Sequence, residues 1–215
     1  DMQGMCDPAV RSLSKKCPNL EELILHSAKQ LSIQAFSIET PFQNLRKLEL
    51  FSANFGDAEI SRVLSCCPSI RIFNINHCKS FTGSSLVDDP RLEFLEELDV
   101  RGTPLTSNHY RLILQRANKL AALNVSFCDD VSEGAFEQAV YPPTLKRFAA
   151  DWSNIGNRGF RHLFHSTHLE ALEMRNCTRI TNEVFDERPE LLQRSNFYFD
   201  GTIAEGAFAA NFAEE

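Results

Sequence analysis

Glycine and proline are scarce in this chain, each occurring nine times among 215 residues. No low-complexity linker and no run of like charges divides the sequence, so we predict one continuous domain. The chain also lacks any apolar run close to the ~18 residues of a membrane span. We therefore expect a soluble protein without a membrane partner.

An excess of positive charge is missing as well. The formal net charge is -7 and the isoelectric point is near 5.4, whereas binding to a phosphate backbone depends on a basic patch. We predict no nucleic-acid partner. The first residues, Asp1 to Gly4, are polar and lack the basic start and apolar core of a signal peptide, so the sequence gives no support for secretion.

Residues that carry out catalysis do not occur in a recognisable arrangement. Gly156-x-x-Gly159 lacks the lysine and the preceding strand of a phosphate-binding loop. His162, His165 and His168 recur every three residues, a spacing that places side chains on one helix face and makes them the best metal candidate. We interpret them instead as the end of a helix, where an imidazolium is favourable. The sequence thus predicts no enzymatic activity, no cofactor and no catalytic or metal site.

The segment from Leu120 to Phe136 carries a pattern that recurs along the chain. Leu120, Leu123 and Val125 follow the spacing L-x-x-L-x-L, which is typical of a leucine-rich repeat. The first position of the pattern is occupied by Leu20, Leu45, Ile70, Leu95, Leu120, Leu145, Leu169 and Leu192. The fourth position is occupied by Leu23, Leu48, Phe73, Leu98, Leu123, Phe148, Leu172 and Ser195. The sixth position is occupied by Leu25, Leu50, Ile75, Val100, Val125, Ala150, Met174 and Phe197.

Two further apolar rows complete each repeat. The row after the strand contains Leu31, Phe55 or Phe81, Val131, Ile155, Ile180 and Ile203. The row on the buried side of a helix contains Phe36, Ile60, Leu86, Tyr110, Phe136, Phe160, Phe185 and Phe208. Since side chains alternate along an extended chain, the apolar strand residues should face the core.

These rows predict an α/β leucine-rich-repeat solenoid, a right-handed βα horseshoe. Its parallel sheet should line the concave side and its helices the convex side, joined by right-handed crossovers. Strands should begin near Leu23, Leu48, Phe73, Leu98, Leu123, Phe148 and Leu172. We expect about eight repeats of ~25 residues over residues 20–215, the last ones irregular. Residues 1–19 are either the end of a preceding repeat or an N-terminal cap, which solenoids need over their first open face.

Seven cysteines would suggest disulfides in a small secreted protein, but their positions favour another interpretation. Cys78, Cys128 and Cys177 occupy one repeat position, directly after the strand. Two repeats separate each from the next, about 10 Å at ~4.8 Å per strand, which is too far for a disulfide or a shared metal. We interpret them as buried thiols and predict a reducing, intracellular location, cytoplasmic or nuclear.

The segments Cys17 to Leu25, Leu120 to Val131 with its Cys128, and Leu169 to Phe185 with its Cys177 resemble cysteine-containing leucine-rich repeats. This subtype is typical of F-box and leucine-rich-repeat proteins, the substrate receptors of cullin-RING ubiquitin ligases. The resemblance implies a substrate-recognition domain that binds a protein on its concave face, with a Skp-type adaptor and a cullin recruited through an F-box. No F-box precedes the repeats here, and the cysteine position is replaced by Ala28, Ala53, Thr103 and Ser153. A stand-alone scaffold, inhibitor or pathogen effector without ubiquitin chemistry remains the alternative.

Outward positions of the strands carry charges of alternating sign. They are Glu21 and Glu22, Arg46 and Lys47, Arg71, Glu96 and Glu97, Lys146 and Arg147, and Glu170. Because opposite charges fall on adjacent parallel strands, we interpret this column as cross-strand ion pairs worth about 0.2–1 kcal/mol each.

Aromatic residues and arginines collect at the two positions that close each strand. Such residues dominate protein interfaces when they are exposed, and the single tryptophan of the chain is among them. We predict partner binding by Phe51, Arg101, Phe127, Trp152, Arg175 and Tyr198, centred on Trp152 with Phe127 and Arg175 beside it; Phe199 falls in the same column. Stacking of each ring on its neighbour in the next repeat explains the same column equally well.

Overall fold

The fold is one open sheet of eight parallel strands, which follow one another in chain order. A computed structural model describes residues 6–26, 28–166 and 169–202. The strands are β1 Glu22–Leu25, β2 Lys47–Leu50, β3 Ile72–Asn74, β4 Glu97–Asp99, β5 Ala122–Asn124, β6 Arg147–Ala149, β7 Ala171–Glu173 and β8 Phe197–Tyr198.

Helices alternate with the strands. The α-helices are α1 Asp7–Lys16, α2 Asp57–Ser65, α3 Ser84–Val87, α4 Ser107–Arg116, α5 Glu133–Glu137, α6 Asn157–Ser166 and α7 Glu183–Glu187. Short 3-10 segments occupy Ala28–Gln30, Ile33–Phe36, Pro90–Phe94 and Pro189–Gln193. Among the described residues, no helix combines the length and the apolar character needed to cross a membrane.

The strand register confirms the repeat positions through the seventh strand. Leu23 pairs with Leu48, Leu98 with Leu123, and the same fourth position continues from strand to strand. Leu123 and Val125 are buried, as the alternation of side chains requires. The predicted leucine-rich-repeat solenoid, with a parallel sheet and alternating helices, is therefore confirmed. The division into residues 1–19 and about eight repeats over residues 20–215 stays a prediction.

The last repeat differs from the predicted register by two residues. Leu172 pairs with Phe197, so Phe197 holds the fourth position, which the sequence pattern had given to Ser195. Phe199, buried to 2% exposure, takes the sixth position. The spacing from β7 to β8 is thus 25 residues again, because the 3-10 segment Pro189–Gln193 fills the extra length before the strand.

Both further apolar rows are buried where the structure describes them. Phe55 and Phe81 each belong to the first of these rows, in successive repeats, and Leu105 takes the same position in the next repeat. The helix row from Phe36 to Phe185 is also buried. Ile203 and Phe208 lie outside the described residues.

A left-handed backbone position follows each strand from β2 to β8. Its members, with φ between 55° and 68°, are Ser52, His77, Gly102, Phe127, Trp152, Asn176 and Gly201. From Ser52 to Asn176, each N–H donates to a carbonyl of the following repeat, at 2.7–3.0 Å. A side chain at such a φ costs about 1–2 kcal/mol, so only the two glycines adopt this conformation without strain.

Asp57, at the start of α2, joins one repeat to the next. Its carboxylate accepts hydrogen bonds from the backbone N–H and hydroxyl groups of Thr82 and Ser85, at 2.8–3.2 Å. These donors lie at the beginning of α3, where backbone N–H groups have no partner within the helix. Burial raises the pKa of Asp57, but the hydrogen bonds outweigh it, and the net pKa is lowered.

We expect Asp57→Asn to lower the free energy of unfolding by about 1–3 kcal/mol at neutral pH, since the variant cannot accept the same charge-assisted bonds. Because the folded-state pKa is depressed, this stabilisation is complete above the unfolded pKa of about 4 and is lost as pH falls through the folded value. Urea unfolding of both proteins between pH 7 and pH 2.5 measures the difference. Asp88→Asn, an exposed neighbour, serves as the control, and a difference independent of pH would contradict the assignment.

Two glycines bring α6 close to α5. A Cβ on Gly159 would lie 2.7 Å from Cβ of Phe136, and a Cβ on Gly156 would lie 2.2 Å from the carboxylate of Glu133. Gly156-x-x-Gly159 therefore has a packing role in this solenoid. Gly134, within α5, has no atom near its own Cβ position.

The same substitution is expected to have opposite effects at two of these glycines. Gly134→Ala should raise the free energy of unfolding by about 0.5–1 kcal/mol, because alanine loses less backbone entropy in a helix. Gly159→Ala should lower it by about 1–3 kcal/mol, since Phe136 cannot give way without moving its backbone. Parallel denaturant titrations test the pair. Equal effects of the same sign would show that helix propensity, and not the contact between helices, decides the outcome.

Candidate functional site

The six residues predicted to bind a partner lie at three different repeat positions. Phe51, Arg101 and Arg175 occupy the residue that follows the sixth position. Phe127 and Trp152 occupy the left-handed residue after it. Tyr198 occupies the fifth position, within β8, where it pairs with Glu173.

Residues of four successive repeats come together at the carboxyl ends of β5 to β8. Phe127, Trp152, Arg175 and Tyr198 form this group, which we call the aromatic edge. Phe51 follows β2 and Arg101 follows β4, so both lie nearer the other end of the sheet. Phe199, also in the predicted column, belongs to the core.

Phe127 and Trp152 form a stacked pair. Their ring centroids are 6.0 Å apart with an interplanar angle of 18°, and the side chains are 43% and 54% exposed. Backbone hydrogen bonds hold them, since Phe127 N donates to Asp151 O at 2.9 Å and Trp152 N donates to Arg175 O at 2.8 Å. Contact between neighbouring repeats therefore exists, and it leaves much of both rings open.

Arg175 is held by carboxylates on both sides. Its guanidinium lies 2.7 Å from Glu173, 3.1 Å from Asp151 and 3.8 Å from Asp200, and it also stacks over the ring of Tyr198 at 4.7 Å. Partial burial disfavours the charge, but the carboxylates of Glu173 and Asp151 overcome that effect and raise the pKa of Arg175. Arg175 is thus a fixed cation at the aromatic edge.

The other two predicted residues have separate partners. Phe51 stacks on His26, with centroids 5.0 Å apart, and Arg101 forms an ion pair with Asp99 at 2.7 Å.

The imidazole of His77 occupies the space beside Gly102 that a Cβ would need. Burial, together with the charges of Lys79 and Arg101, lowers the pKa of His77.

A groove of about 270 Å³ lies along the face of the sheet that the outward side chains form. Ala122, Ala149 and Ala171 provide small side chains on three adjacent strands. Arg147 reaches over β5 to Glu97, at 2.6 Å. The predicted site did not include the residues that line this groove. The alanines at outward positions of three consecutive repeats were the sequence signal that indicated it.

The outward charges pair in part as expected. Arg71 and Glu96 lie 3.9 Å apart, and Lys146 and Glu170 lie 3.0 Å apart, on adjacent strands. Lys47 instead pairs within its own strand, with Glu49 at 3.0 Å. Such exposed pairs contribute little to stability.

The three cysteines at one repeat position are buried and free. Cys128 Sγ donates to the carbonyl of Val100 at 3.3 Å, and Cys177 Sγ donates to that of Ala150 at 3.1 Å. Burial raises the pKa of Cys78 and of Cys128 to about 11. Each thiol therefore donates to a backbone carbonyl of the preceding repeat and stays protonated at neutral pH.

We expect a bulky thiol reagent to label Cys6, which is exposed, and to leave Cys78, Cys128 and Cys177 unlabelled in the native protein. Reaction needs a thiolate that solvent can reach, and these three lack both properties. Mass spectrometry of tryptic peptides, with and without denaturant, identifies the labelled sites. Rapid native labelling of any two of the three would contradict the assignment.

The histidine cluster has structural partners. A ring nitrogen of His162 donates to the carbonyl of Ala139 at 2.7 Å, and one of His165 donates to that of Arg161 at 2.6 Å. His168 lies outside the described residues. Within the described ranges, no group of three or more potential ligands is arranged to hold a metal ion.

The parallel sheet, the repeat period and the buried cysteine position together define the fold of a leucine-rich-repeat protein. No family model matches the chain. It is similar to F-box/LRR-repeat protein 4 of Bos taurus, with 24% identity over 141 residues, 65% of this chain and 19% of the relative. It is also similar to an F-box/LRR-repeat protein of Arabidopsis thaliana, with 28% identity over 86 residues, 40% of this chain and 27% of the relative.

A solved structure, the complex of Rad7 and Elc1 in yeast, contains a chain with 12% identity and a TM-score of 0.44. That alignment covers 83% of this chain and 69% of the yeast chain. The chain thus spans about a fifth of the bovine relative and about a quarter of the plant relative.

Proposed function

We propose that this chain is a protein-interaction module, the substrate-recognition domain of an F-box-type ubiquitin ligase receptor or of a relative without the F-box. Both relatives are F-box/LRR-repeat proteins, which supports this context. An F-box, through which a Skp-type adaptor and a cullin would be recruited, would have to lie outside these residues. The same domain without ubiquitin chemistry, as a scaffold, inhibitor or effector, is the alternative.

The observation that carries the proposal is the exposed Phe127–Trp152 pair in left-handed backbone. Gly102 donates the same hydrogen bond to the following repeat without strain, so the backbone does not require aromatic residues at this position. Placing Phe127 and Trp152 there costs about 1–2 kcal/mol each, and the rings remain largely outside the core. Exposed strain of this kind is typical of residues that act on a ligand.

The partner surface extends from this pair. Arg175 and Tyr198 continue the aromatic edge, and the groove lies next to it on the sheet. Phe51 and Arg101 would contact a larger partner toward the amino-terminal repeats. We propose no chemical reaction at this surface, because its groups recognise a partner without an arranged nucleophile, base and orienting residue.

Affinity purification of the full-length gene product from its native cells tests the proposal. The expected result is a substrate protein together with a Skp-type adaptor and a cullin, identified by mass spectrometry. Residues 1–215 alone should retain the substrate and lose the adaptor. Recovery of a partner without adaptor or cullin would favour the alternative. If the Phe127→Gly/Trp152→Gly variant still recovers every protein that the unsubstituted chain recovers, the aromatic edge is not the site.

A further inference from the structure

Two other exposed aromatic rings of the described residues, those of Phe94 and Tyr198, are each covered by a cation of the same chain. Arg71 and Lys119 lie 5.4 and 5.2 Å from the ring of Phe94, on either side in the sequence. Tyr198, Phe197 and Phe164 each stack with an arginine, namely Arg175, Arg194 and Arg188. Within the described part of the chain, no cation lies over Phe127 or Trp152. These two rings therefore differ from those of Phe94 and Tyr198 in lacking a cation of the same chain.

Composition explains why no cation reaches them. No lysine or arginine occurs between Lys119 and Lys146, a span that contains Phe127 and adjoins the loop of Trp152. The acidic residues in this span are Asp129, Asp130, Glu133 and Glu137. None of their carboxylates forms a hydrogen bond or an ion pair with another described residue. Of these, Asp129 and Asp130 follow Phe127 by two and three residues and carry uncompensated negative charge.

Cations along the edge are already engaged, and the first of them, Lys79, donates to the carbonyl of Gly102 at 3.0 Å. Arg101 is bound to Asp99 through both its guanidinium and its backbone N–H. Arg175 is bound by Glu173 and Asp151 and stacks on Tyr198. Turning either arginine toward the pair would break these contacts. A cation for Phe127 and Trp152 must therefore come from another molecule.

We propose that the Phe127–Trp152 pair binds an arginine or lysine side chain presented by an extended segment of a partner protein. The cation stacks on the open ring faces, and Asp129 and Asp130 supply the opposite charge two and three residues after Phe127. Aromatic faces attract such cations, tryptophan most strongly. The inference rests on the proposed function, because it names the chemistry of the partner at that same edge.

Trp152 permits a direct test, since it is the only tryptophan of the chain and its fluorescence reports on this site alone. The probe is the blocked peptide Gly-Arg-Gly-Arg-Gly-Arg-Gly, titrated into the protein at low salt. We expect a saturable change in tryptophan emission. The same peptide with citrulline in place of arginine, which keeps the shape and loses the charge, should bind at least about tenfold more weakly.

Matched variants separate specific recognition from general attraction to an acidic protein. Asp129→Asn/Asp130→Asn should weaken binding about tenfold, whereas Glu21→Gln/Glu22→Gln, with the same change of charge at the far end of the sheet, should weaken it less than about twofold. Equal binding of the citrulline peptide, equal effects of the two double variants, or no saturable signal would overturn the inference. A further outcome is that a native partner is lost with Trp152→Gly and still binds to Asp129→Asn/Asp130→Asn. That result would preserve the proposed function and overturn only the preference for a basic side chain of the partner.

Discussion

Replacing Phe136 by alanine is expected to lower the free energy of unfolding by about 3–5 kcal/mol. The side chain is fully buried, and its ring lies 5.2 Å from that of Tyr110 in the preceding repeat. On its other side, Cβ of Phe136 faces Gly159 of the following repeat. The substitution therefore removes the ring contact with Tyr110, keeps the Cβ atom that faces Gly159, and leaves a cavity in the middle of the solenoid.

Because each repeat is stabilised only by its neighbours, this cavity should also weaken the connection between the two halves. Urea unfolding followed by circular dichroism measures the loss. Trp152 fluorescence follows the carboxyl-terminal half separately. The matched control is Phe127→Gly, which removes an exposed ring from the same repeat and relieves the left-handed backbone; we expect a change under about 1 kcal/mol. Similar losses in both variants would contradict the distinction between core and surface phenylalanines.

Trp152→Gly is expected to weaken partner binding by about 2 kcal/mol or more, roughly 30-fold. Truncation of an aromatic anchor at the centre of an interface has effects of this size. Glycine is the informative replacement because the backbone at Trp152 has φ 55°, a conformation that alanine adopts only with strain. Stability should therefore change little while the contact surface is lost.

Affinity and melting temperature must be measured on the same protein samples. Val140→Ala, at an exposed apolar residue outside the aromatic edge, provides the control and should leave affinity unchanged. If Trp152→Gly retains full affinity and lowers the melting temperature, the ring serves to join neighbouring repeats. The partner would then bind elsewhere on the surface.

Most of the solenoid follows from spacing because every repeat buries the same positions. Leu98, Leu123 and Phe148 are aligned in the sheet for the same reason that they recur at 25-residue intervals in the sequence: each must cover the one before it. A period shared by several rows leaves no other register in which all apolar side chains are buried.

The last repeat could not be placed by the same rule. An apolar count favours Leu192 as its first residue, whereas the register from Phe197 places Arg194 there. Arg194 is accommodated because its guanidinium covers the ring of Phe197 at 4.1 Å and donates to the carbonyl of Leu169 at 2.9 Å. A cation that satisfies its charge and stacks on a ring substitutes for a leucine, and hydrophobicity alone does not reveal it.

The residue types of the candidate site were predictable from the sequence, but their arrangement in space was not. Its aromatic residues and arginines were recognisable, but the left-handed conformation of Phe127 and Trp152 was hidden, since glycine usually marks such positions and is absent from both. Tyr198 was assigned to the column with Phe199 because the register of β8 was shifted. The structure shows that Tyr198 is exposed and that Phe199 is buried.

Three side chains along the left-handed ladder contact the same position of the following repeat. His77 covers Gly102, Phe127 stacks toward Trp152, and Asn176 covers Gly201. Substitutions on this surface should therefore occur in a particular order during evolution. A side chain can be gained at Gly102 only after His77 has become smaller, so the two positions should vary together during evolution. Each repeat thus constrains the choices open to the one that follows it.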